Sequence, residues 1–328
     1  MRLTVSRAGF ATSVQDYGRF GFRQHGVSVG GGLDRHALRI INFLAGNQEN
    51  AAGLEITSGN VQLQFQDQRL LAWAGGDYEV IANGRTIPPG HCFLVRESEI
   101  LSFSGPRSGC RAWLAVSGGI EVQPVLGSRA TDTRAKFGGY EGRVLRDGDV
   151  LPLGENSAGA KAWMKKLRDA RVAPWSAPYA WVHPAEDQTF LRTIPGADWD
   201  RFDDPSRRAF TSSKFTVSSA SDRMGARLEG ADLKRKEDGD LVSEAVAPGT
   251  VQVPPSGNPI LLLGDCQTIG GYPKIAHVIT VDLPQAAQLC PGAVLRFSIV
   301  TLADAYRLLF ERESEVERFG TGVRLQQS

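Results

Sequence analysis

Two glycine-rich blocks mix backbone freedom with charged and amide side chains. The first runs Thr12-Ser-Val-Gln-Asp-Tyr-Gly-Arg-Phe-Gly21 and then Gly26-Val-Ser-Val-Gly-Gly-Gly-Leu-Asp34; it offers Gln15, Asp16, Arg19, Arg23 and Asp34. The second runs Gly264-Asp-Cys-Gln-Thr-Ile-Gly-Gly-Tyr-Pro-Lys274 and offers Asp265, Gln267, Thr268, Tyr272 and Lys274. Glycine lets a chain turn through positive φ and lets a ligand approach the backbone. Arg and Lys pair with carboxylate or phosphoryl oxygens. Gln and Thr hold amides and carbonyls, and Asp orients water or a cation. Gly30–Asp34 ends where a helix begins, a natural anion site, although Asp34 acting only as a cap explains the same residues. A third group, Ser221-Asp-Arg-Met-Gly-Ala-Arg-Leu-Glu-Gly230, places Arg223 and Arg227 four apart. They form either a clamp for a carboxylate or phosphate, or surface pairs with Glu229 and Asp232. A fourth, Leu126-Gly-Ser-Arg-Ala-Thr-Asp-Thr-Arg134 followed by Phe137-Gly-Gly-Tyr-Glu-Gly-Arg143, adds Arg129 with the same ambiguity.

Several other chemistries are excluded. No GxxxxGK[ST] loop exists, and no GxGxxG lies between a strand and a helix. The five histidines lack metal-ligand spacing, so no metal ligands are expected, and no GxSxG elbow occurs. Lys+Arg 37 against Asp+Glu 36 gives a net charge of +1. That balance argues against nucleic acid or an anionic membrane as partner. The N-terminus lacks the apolar stretch of a signal peptide, and Ile260–Leu263 is too short to span a bilayer. Four scattered cysteines without a CxxC read as reduced thiols in a cytoplasmic protein.

The elements that must position these residues are mostly strands. Val61–Phe65 alternates with period two, and short apolar runs follow at 70–73, 78–81, 92–95, 100–103 and 111–116. Asn83-Gly84 marks a tight hairpin. Later runs are 190–194, 215–217, 250–253, 260–263, 274–281 and 294–297. The 17 prolines and 37 glycines punctuate a rhythm that fits antiparallel barrels or sandwiches. Three helices are expected: one capped by Asp34 and running to about Ala45, one over Ala160–Arg171, and one from Thr301. The last has an apolar stripe of Leu302, Ala305, Tyr306, Leu309 and Phe310, then a charged end and a loose tail at 326–328. With 328 residues the chain reads as two domains. They cover 1–155 and 185–310, joined by a helical, Pro-rich linker at 156–184 and followed by a charged helix end and tail at 311–328.

Taken in order, these blocks resemble the biotin-dependent carboxyltransferase family, also called allophanate hydrolase subunit 2 or KipI antagonist. The resemblance is carried by Thr12-Ser-Val-Gln-Asp-x-Gly-Arg19, Gly26-Val-x-x-Gly-Gly, Asn42-x-Leu-x-Gly-Asn47 and Leu54-Glu-Ile-Thr57. It continues through Val116-Ser-Gly-Gly-Ile120, Leu126-Gly-Ser-Arg129, Phe137-Gly-Gly139, Ser221-x-Arg-Met-Gly-x-Arg-Leu-x-Gly230, Gly249-x-Val-Gln-Val-Pro254 and Gln267-Thr-x-Gly-Gly-Tyr-Pro273. Cys266 and Ala130 depart from the pattern without removing a charge.

The resemblance implies a mainly β fold of two cyclophilin-like β-barrel domains with a few peripheral helices. It implies a KipI-like partner of the allophanate hydrolase subunit 1 type (the B component) and, in the bacterial line, a further A component of 5-oxoprolinase. The leading expectation is a subunit of an ATP-dependent 5-oxoprolinase (its C component), an amidohydrolase that opens the cyclic amide 5-oxoproline to L-glutamate. ATP, with Mg, would be shared with a partner chain. Alternatives are the carboxyltransferase component of a urea carboxylase, with biotin carried on another chain, and a non-catalytic antagonist of a KipI-like inhibitor. Under the leading expectation a developing oxyanion or phosphoryl charge needs fixed cations. Arg19, Arg223 and Lys274 are assigned to it, with Asp16 or Asp265 orienting water or magnesium. Gln15, Gln267 and Thr268 would hold amide and carbonyl groups. Asp34, Arg129, Arg227 and Tyr272 complete the expected binding set.

Overall fold

The computed structural model describes residues 1–183, 189–237, 239 and 241–327. The chain forms two compact units. The first holds Met1–Arg19, Asp34–Ala185 and Glu315–Ser328; the second holds Phe20–Leu33 and Glu186–Ser314.

In the first unit the strands divide into two six-stranded sheets. One runs β11 (Val150–Pro152), β1 (Arg2–Ala8), β4 (Val61–Phe65), β9 (Ile100–Ser104), β6 (Glu79–Ala82), β7 (Arg85–Thr86). The other runs β12 (Val172–Ser176), β8 (His91–Val95), β5 (Arg69–Gly75), β10 (Arg111–Val116), β3 (Gly53–Thr57), β2 (Ala11–Gln15). Alternation places Leu63, Phe65, Leu101 and Phe103 of the first sheet and Ile56, Trp73 and Leu114 of the second in one core. β5 and β10 are buried at every residue, so they read as continuous apolar runs. Helix α1 (Arg35–Leu44) covers them. Asp34 caps α1, its Oδ1 accepting from Ala37 N at 2.7 Å. Asn83 and Gly84, at φ 49° and 71°, turn the chain between β6 and β7 as a two-residue hairpin needs.

The stretch 156–183 carries helix, as expected of it, and a strand as well. It forms α2 (Ala158–Lys166), β12 and α3 (Tyr179–Val182), and β12 pairs with β8 in the first unit's sheet. The expected helix over Ala160–Arg171 therefore starts and ends earlier, with Ser157 as its cap. Pro184 lies outside the described residues.

The second unit is a closed barrel. Its strands run β13 (Thr189–Pro195), β20 (Lys274–Val278), β17 (Thr250–Gln252), β18 (Ile260–Leu262), β15 (Gly225–Glu229), β14 (Phe215–Val217), β21 (Val294–Ile299), and β21 closes back on β13. Ala226, Leu228, Val251, Leu261, Ala276 and Phe297 point into the barrel core. Helix α4 (Asp204–Ser212) stacks Phe210 on Phe297 at 4.5 Å. A short helix α5 (Leu283–Ala286) and a two-stranded ribbon of β16 (Glu244–Ala245) with β19 (Ile269–Gly270) complete the unit.

The last helix, α6 (Leu302–Gln327), corrects two expectations. Its stripe at Leu302, Tyr306 and Phe310 is exposed, and burial falls instead on Val316, Gly320, Val323 and Gln327. Those four recur with helical period on one face. The tail is not loose through Gln327, because its Nε2 donates to Phe43 O at 3.2 Å and Leu44 O at 3.4 Å. These are carbonyls at the end of α1, which a helix leaves unpaired. Ser328 lies outside the described residues. All four cysteines are thiols rather than disulfides. Among the described residues no helix is long and apolar enough to cross a membrane.

Candidate functional site

The first unit gathers Gln15, Asp16, Arg19 and Arg129, and uses their polar atoms to hold its own loops. Asp16 Oδ1 accepts from Gly18 N at 2.8 Å and from Ser128 Oγ at 2.6 Å, while Oδ2 accepts from Arg129 N at 2.6 Å. Arg19 is fully buried; it donates to Ala130 O and lies over the Phe137 ring at 4.5 Å. Arg129 donates to Val122 O at 3.0 Å and pairs with Glu121 at 2.9 Å. Gln15 Nε2 donates to Ser13 Oγ at 3.0 Å and Thr131 O at 3.3 Å; its Oε1 is buried without a hydrogen-bond partner among the described residues. These bonds pin the 126–143 loop onto the end of β2. Asp34 is spent on its helix cap.

The second unit gathers three of the remaining candidates, Arg227, Gln267 and Tyr272, around one barrel face. Gly225 sits opposite Leu262, Arg227 opposite Ile260, and Ile260 opposite Gln252. With Ala226, Leu261 and Val251 turned into the core, strand alternation puts Gly225, Arg227, Ile260, Leu262 and Gln252 on the outer face. A cleft of about 330 Å³ lies over that face. Its walls come from Asp222 and Met224 before β15, Pro254 and Ser256 after β17, and Gln267 and Tyr272 of the second glycine block. Of the expected residues it therefore unites Arg227, Gln267 and Tyr272.

Gln252, only 1% exposed, ties the walls together. Its Nε2 donates to Tyr272 O at 3.1 Å and its Oε1 accepts from Gln267 Nε2 at 3.3 Å. Gly270 makes room for this amide, because a Cβ there would lie 2.7 Å from Gln252 Nε2. Gln252 is a functional candidate that the sequence reading passed over. Its signal is present in Thr250-Val-Gln-Val253, where an amide falls out of phase with two core valines.

Arg223 and Arg227 do not form a clamp. Arg223 precedes the strand and is held by Asp265, with Nε to Oδ2 at 2.8 Å and Nη2 to Oδ1 at 3.2 Å. Its Nη2 also donates to Gly31 O at 2.7 Å. It thus joins the Gly30–Gly32 turn to the second glycine block. Lys274 Nζ lies 2.7 Å from Glu244 Oε2 and 3.4 Å from Asp198 Oδ2. Burial works against the ammonium, but the Glu244 and Asp198 carboxylates outweigh it and hold Lys274 protonated above its usual range. Thr268 is buried, and its carbonyl accepts from Val246 N at 3.1 Å and Arg23 Nη2 at 3.5 Å. Cys266 beneath this loop has its thiol pushed up to about 11 by burial, so it stays protonated.

By contrast, the Arg227 guanidinium has no carboxylate or hydrogen-bond partner among the described residues; the bonds of this residue are backbone ones, its N donating to Ser221 Oγ at 3.0 Å and its O accepting from Ser218 N at 2.8 Å. Asp222 Oδ1 accepts from Met224 N at 2.7 Å and Gly225 N at 3.2 Å. The cleft therefore offers one open cation, one carboxylate and a pair of amides above an apolar floor. That set suits a small polar organic ligand. No group of three or more His, Cys, Asp or Glu residues among the described ones could hold a metal ion.

Comparison with known proteins places this geometry in context. A family model described as "Carboxyltransferase domain, subdomain A and B" matches residues 25–299. The chain is 40% identical over 316 residues to the C component of the 5-oxoprolinase of Escherichia coli K12, covering 96% of this chain and 97% of that one. It is 36% identical over 305 residues to the C component of the 5-oxoprolinase of Haemophilus influenzae, covering 93% and 92%. Among solved structures it is similar to the urea amidolyase of Kluyveromyces lactis, at 28% identity and a TM-score of 0.87. That match covers 97% of this chain and 20% of the amidolyase.

Proposed function

Because the chain belongs to the family of carboxyltransferase domains built from subdomains A and B, we propose that it is a subunit of an ATP-dependent 5-oxoprolinase. In this reading it works in the cytoplasm with a KipI-like B component and an A component. The assembled enzyme opens 5-oxoproline to L-glutamate. The observation that carries the reading is the match to the Escherichia coli C component, at 40% identity over 96% of this chain and 97% of that one. The amide-rich cleft supports a lactam as the group handled.

This chain's part is to hold and orient. Gln267 presents its amide to the lactam, and Gln252, buried and bonded to Gln267 and Tyr272, braces it. Arg223 and Lys274 are positioning residues, because carboxylates already occupy their heads. They fix the loop that carries Gln267 and Tyr272. The cleft does not fit ATP: a single open guanidinium beside Asp222, in about 330 Å³, cannot balance a triphosphate. Nucleotide and Mg are therefore assigned to the assembled complex, and no step on this chain is drawn through them.

The test is glutamate formation from 5-oxoproline by this chain co-expressed with its A and B partners, with and without ATP. Glutamate that requires both ATP and this chain is the expected result. A complex that assembles but makes no glutamate refutes the reading. The TM-score of 0.87 to a urea amidolyase favours a second reading, carboxyl transfer from a biotin-bearing partner to urea or a similar amide. Recovery of a biotinylated protein with this chain on a streptavidin blot would support it. The third reading, a non-catalytic antagonist, requires partner binding that is indifferent to Arg223→Ala and Lys274→Ala.

A further inference from the structure

Arg227 is the one cation among the described residues that line the cleft. Arg192 is paired with Asp282, Arg201 with Asp198, Arg207 with Asp200 and Asp204, Arg223 with Asp265, and Lys274 with Asp198 and Glu244. Arg227 has no such partner among the described residues, yet strand alternation aims it from the barrel's outer face at the cleft. A guanidinium left open beside a formed cavity is a ready fork for a carboxylate.

The rest of the lining narrows the ligand. Asp222 puts one negative charge at the same rim, which raises the cost of a second anionic group and favours a monoanion. The volume of about 330 Å³ is at the small end for organic-ligand sites. Ile260, Leu262 and Pro254 supply apolar surface for methylene groups. Gln267 spends one N–H on Gln252 Oε1; its other N–H and its own carbonyl can meet an amide C=O and N–H.

We infer that this cleft binds a small cyclic amide that carries one carboxylate, with Arg227 taking the carboxylate and Gln267, braced by Gln252, taking the amide. The inference rests on the oxoprolinase reading for its lactam. It adds that recognition of the carboxylate resides in this chain, and in this residue.

The experiment measures binding of 5-oxoproline and of 2-pyrrolidinone, the same ring without the carboxylate. Calorimetry on the full chain is followed by steady-state kinetics on the reconstituted complex. The wild type should prefer 5-oxoproline at least tenfold. Arg227→Gln should erase that preference with its melting temperature unchanged, since the side chain is exposed. Arg227→Lys should restore part of it. In the complex, Arg227→Gln should raise KM for 5-oxoproline roughly tenfold, worth ~1.4 kcal/mol, with kcat changed less. Glutamate made at an unchanged KM by Arg227→Gln overturns the inference and leaves the oxoprolinase reading standing. Arg227-dependent binding with no glutamate from any complex overturns the oxoprolinase reading and leaves the inference standing. Equal affinity for the two rings, or no binding of 5-oxoproline by chain or complex, also overturns it.

Discussion

Replacing Arg223 by Ala should loosen the cleft without touching its lining. The change removes two bonds to Asp265, at 2.8 and 3.2 Å, and one to Gly31 O at 2.7 Å. The two side chains are 18% and 12% exposed, so Asp265 would lose its Arg223 pairing in a largely buried position. Stranding a fully buried charge costs about 3–5 kcal/mol. Partial solvent access and a charge-assisted geometry bring the expectation here to about 2–3 kcal/mol. Calorimetry should show the transition of the barrel unit falling by roughly 4–12 °C, at about 2–4 °C per kcal/mol. Asp265→Asn in the same chain removes the stranded charge and should recover about 1–2 kcal/mol. Turnover in the complex should fall as well, because Asp265 begins the loop that carries Gln267 and Tyr272. An Arg223→Ala variant within about 0.5 kcal/mol of wild type, the scale of ordinary surface changes, would refute the argument. So would a double variant no more stable than the single one.

Three further outcomes follow from the first unit. Gly138→Ala should cost about 2–4 kcal/mol in urea titration, since φ is +67° and the new Cβ would strike the Arg19 head and Ala130 O; a loss under about 1 kcal/mol, the low end for overpacking, would sink this. Gln327→Ala should cost about 1–2 kcal/mol by releasing the Phe43 and Leu44 carbonyls, and an unchanged denaturation midpoint would show that those bonds contribute nothing. The Arg143 guanidinium, bonded to Asp149 at 2.7 and 3.0 Å, holds that carboxyl below its ordinary range. A depressed carboxylate stabilises the fold above its unfolded pKa of about 3.9 and loses that contribution as pH falls through the folded value. Wild type should therefore exceed Asp149→Asn in stability at about pH 6, with the gap closing below about pH 4; a gap that widens on acidification contradicts the assignment.

The parts of the fold visible in the sequence are those set by local rules. Asp34 announces α1 because a cap works within three residues. Asn83-Gly84 announces its hairpin because both positions need positive φ. Alternation marked β4, and short apolar runs marked β9 and β10, almost to the residue. β15 was hidden inside an arginine motif, where Gly225 and Ala226 give no apolar rhythm. Reading Arg223 and Arg227 as a clamp assumed that four residues bring two heads together. In fact a strand boundary separates their roles. The partners of Lys274 were beyond reach for another reason: Asp198 and Glu244 lie 76 and 30 positions away, the first just past β13, which pairs with β20, the second on the β16–β19 ribbon.

The glycines carry a different message from the one their density first gives. A Cβ at Gly138 would strike Arg19, at Gly139 it would strike Thr131, at Gly142 the backbone of Lys136, and at Gly270 the amide of Gln252. Each of these glycines faces polar groups of the protein itself. Several of those groups are fully or nearly fully buried, and a buried polar head must find its partners within the chain. A loop can wrap such a head closely only where side chains are absent. Glycine-rich blocks dense in Arg, Asp and Gln therefore mark, in this chain, where loops are bolted to their sheets. The residue that faces outward is the one the bolting leaves over. In the second unit Arg227 is such a residue, on a strand flanked by the bolted loops, and it is the cation that lines the cleft.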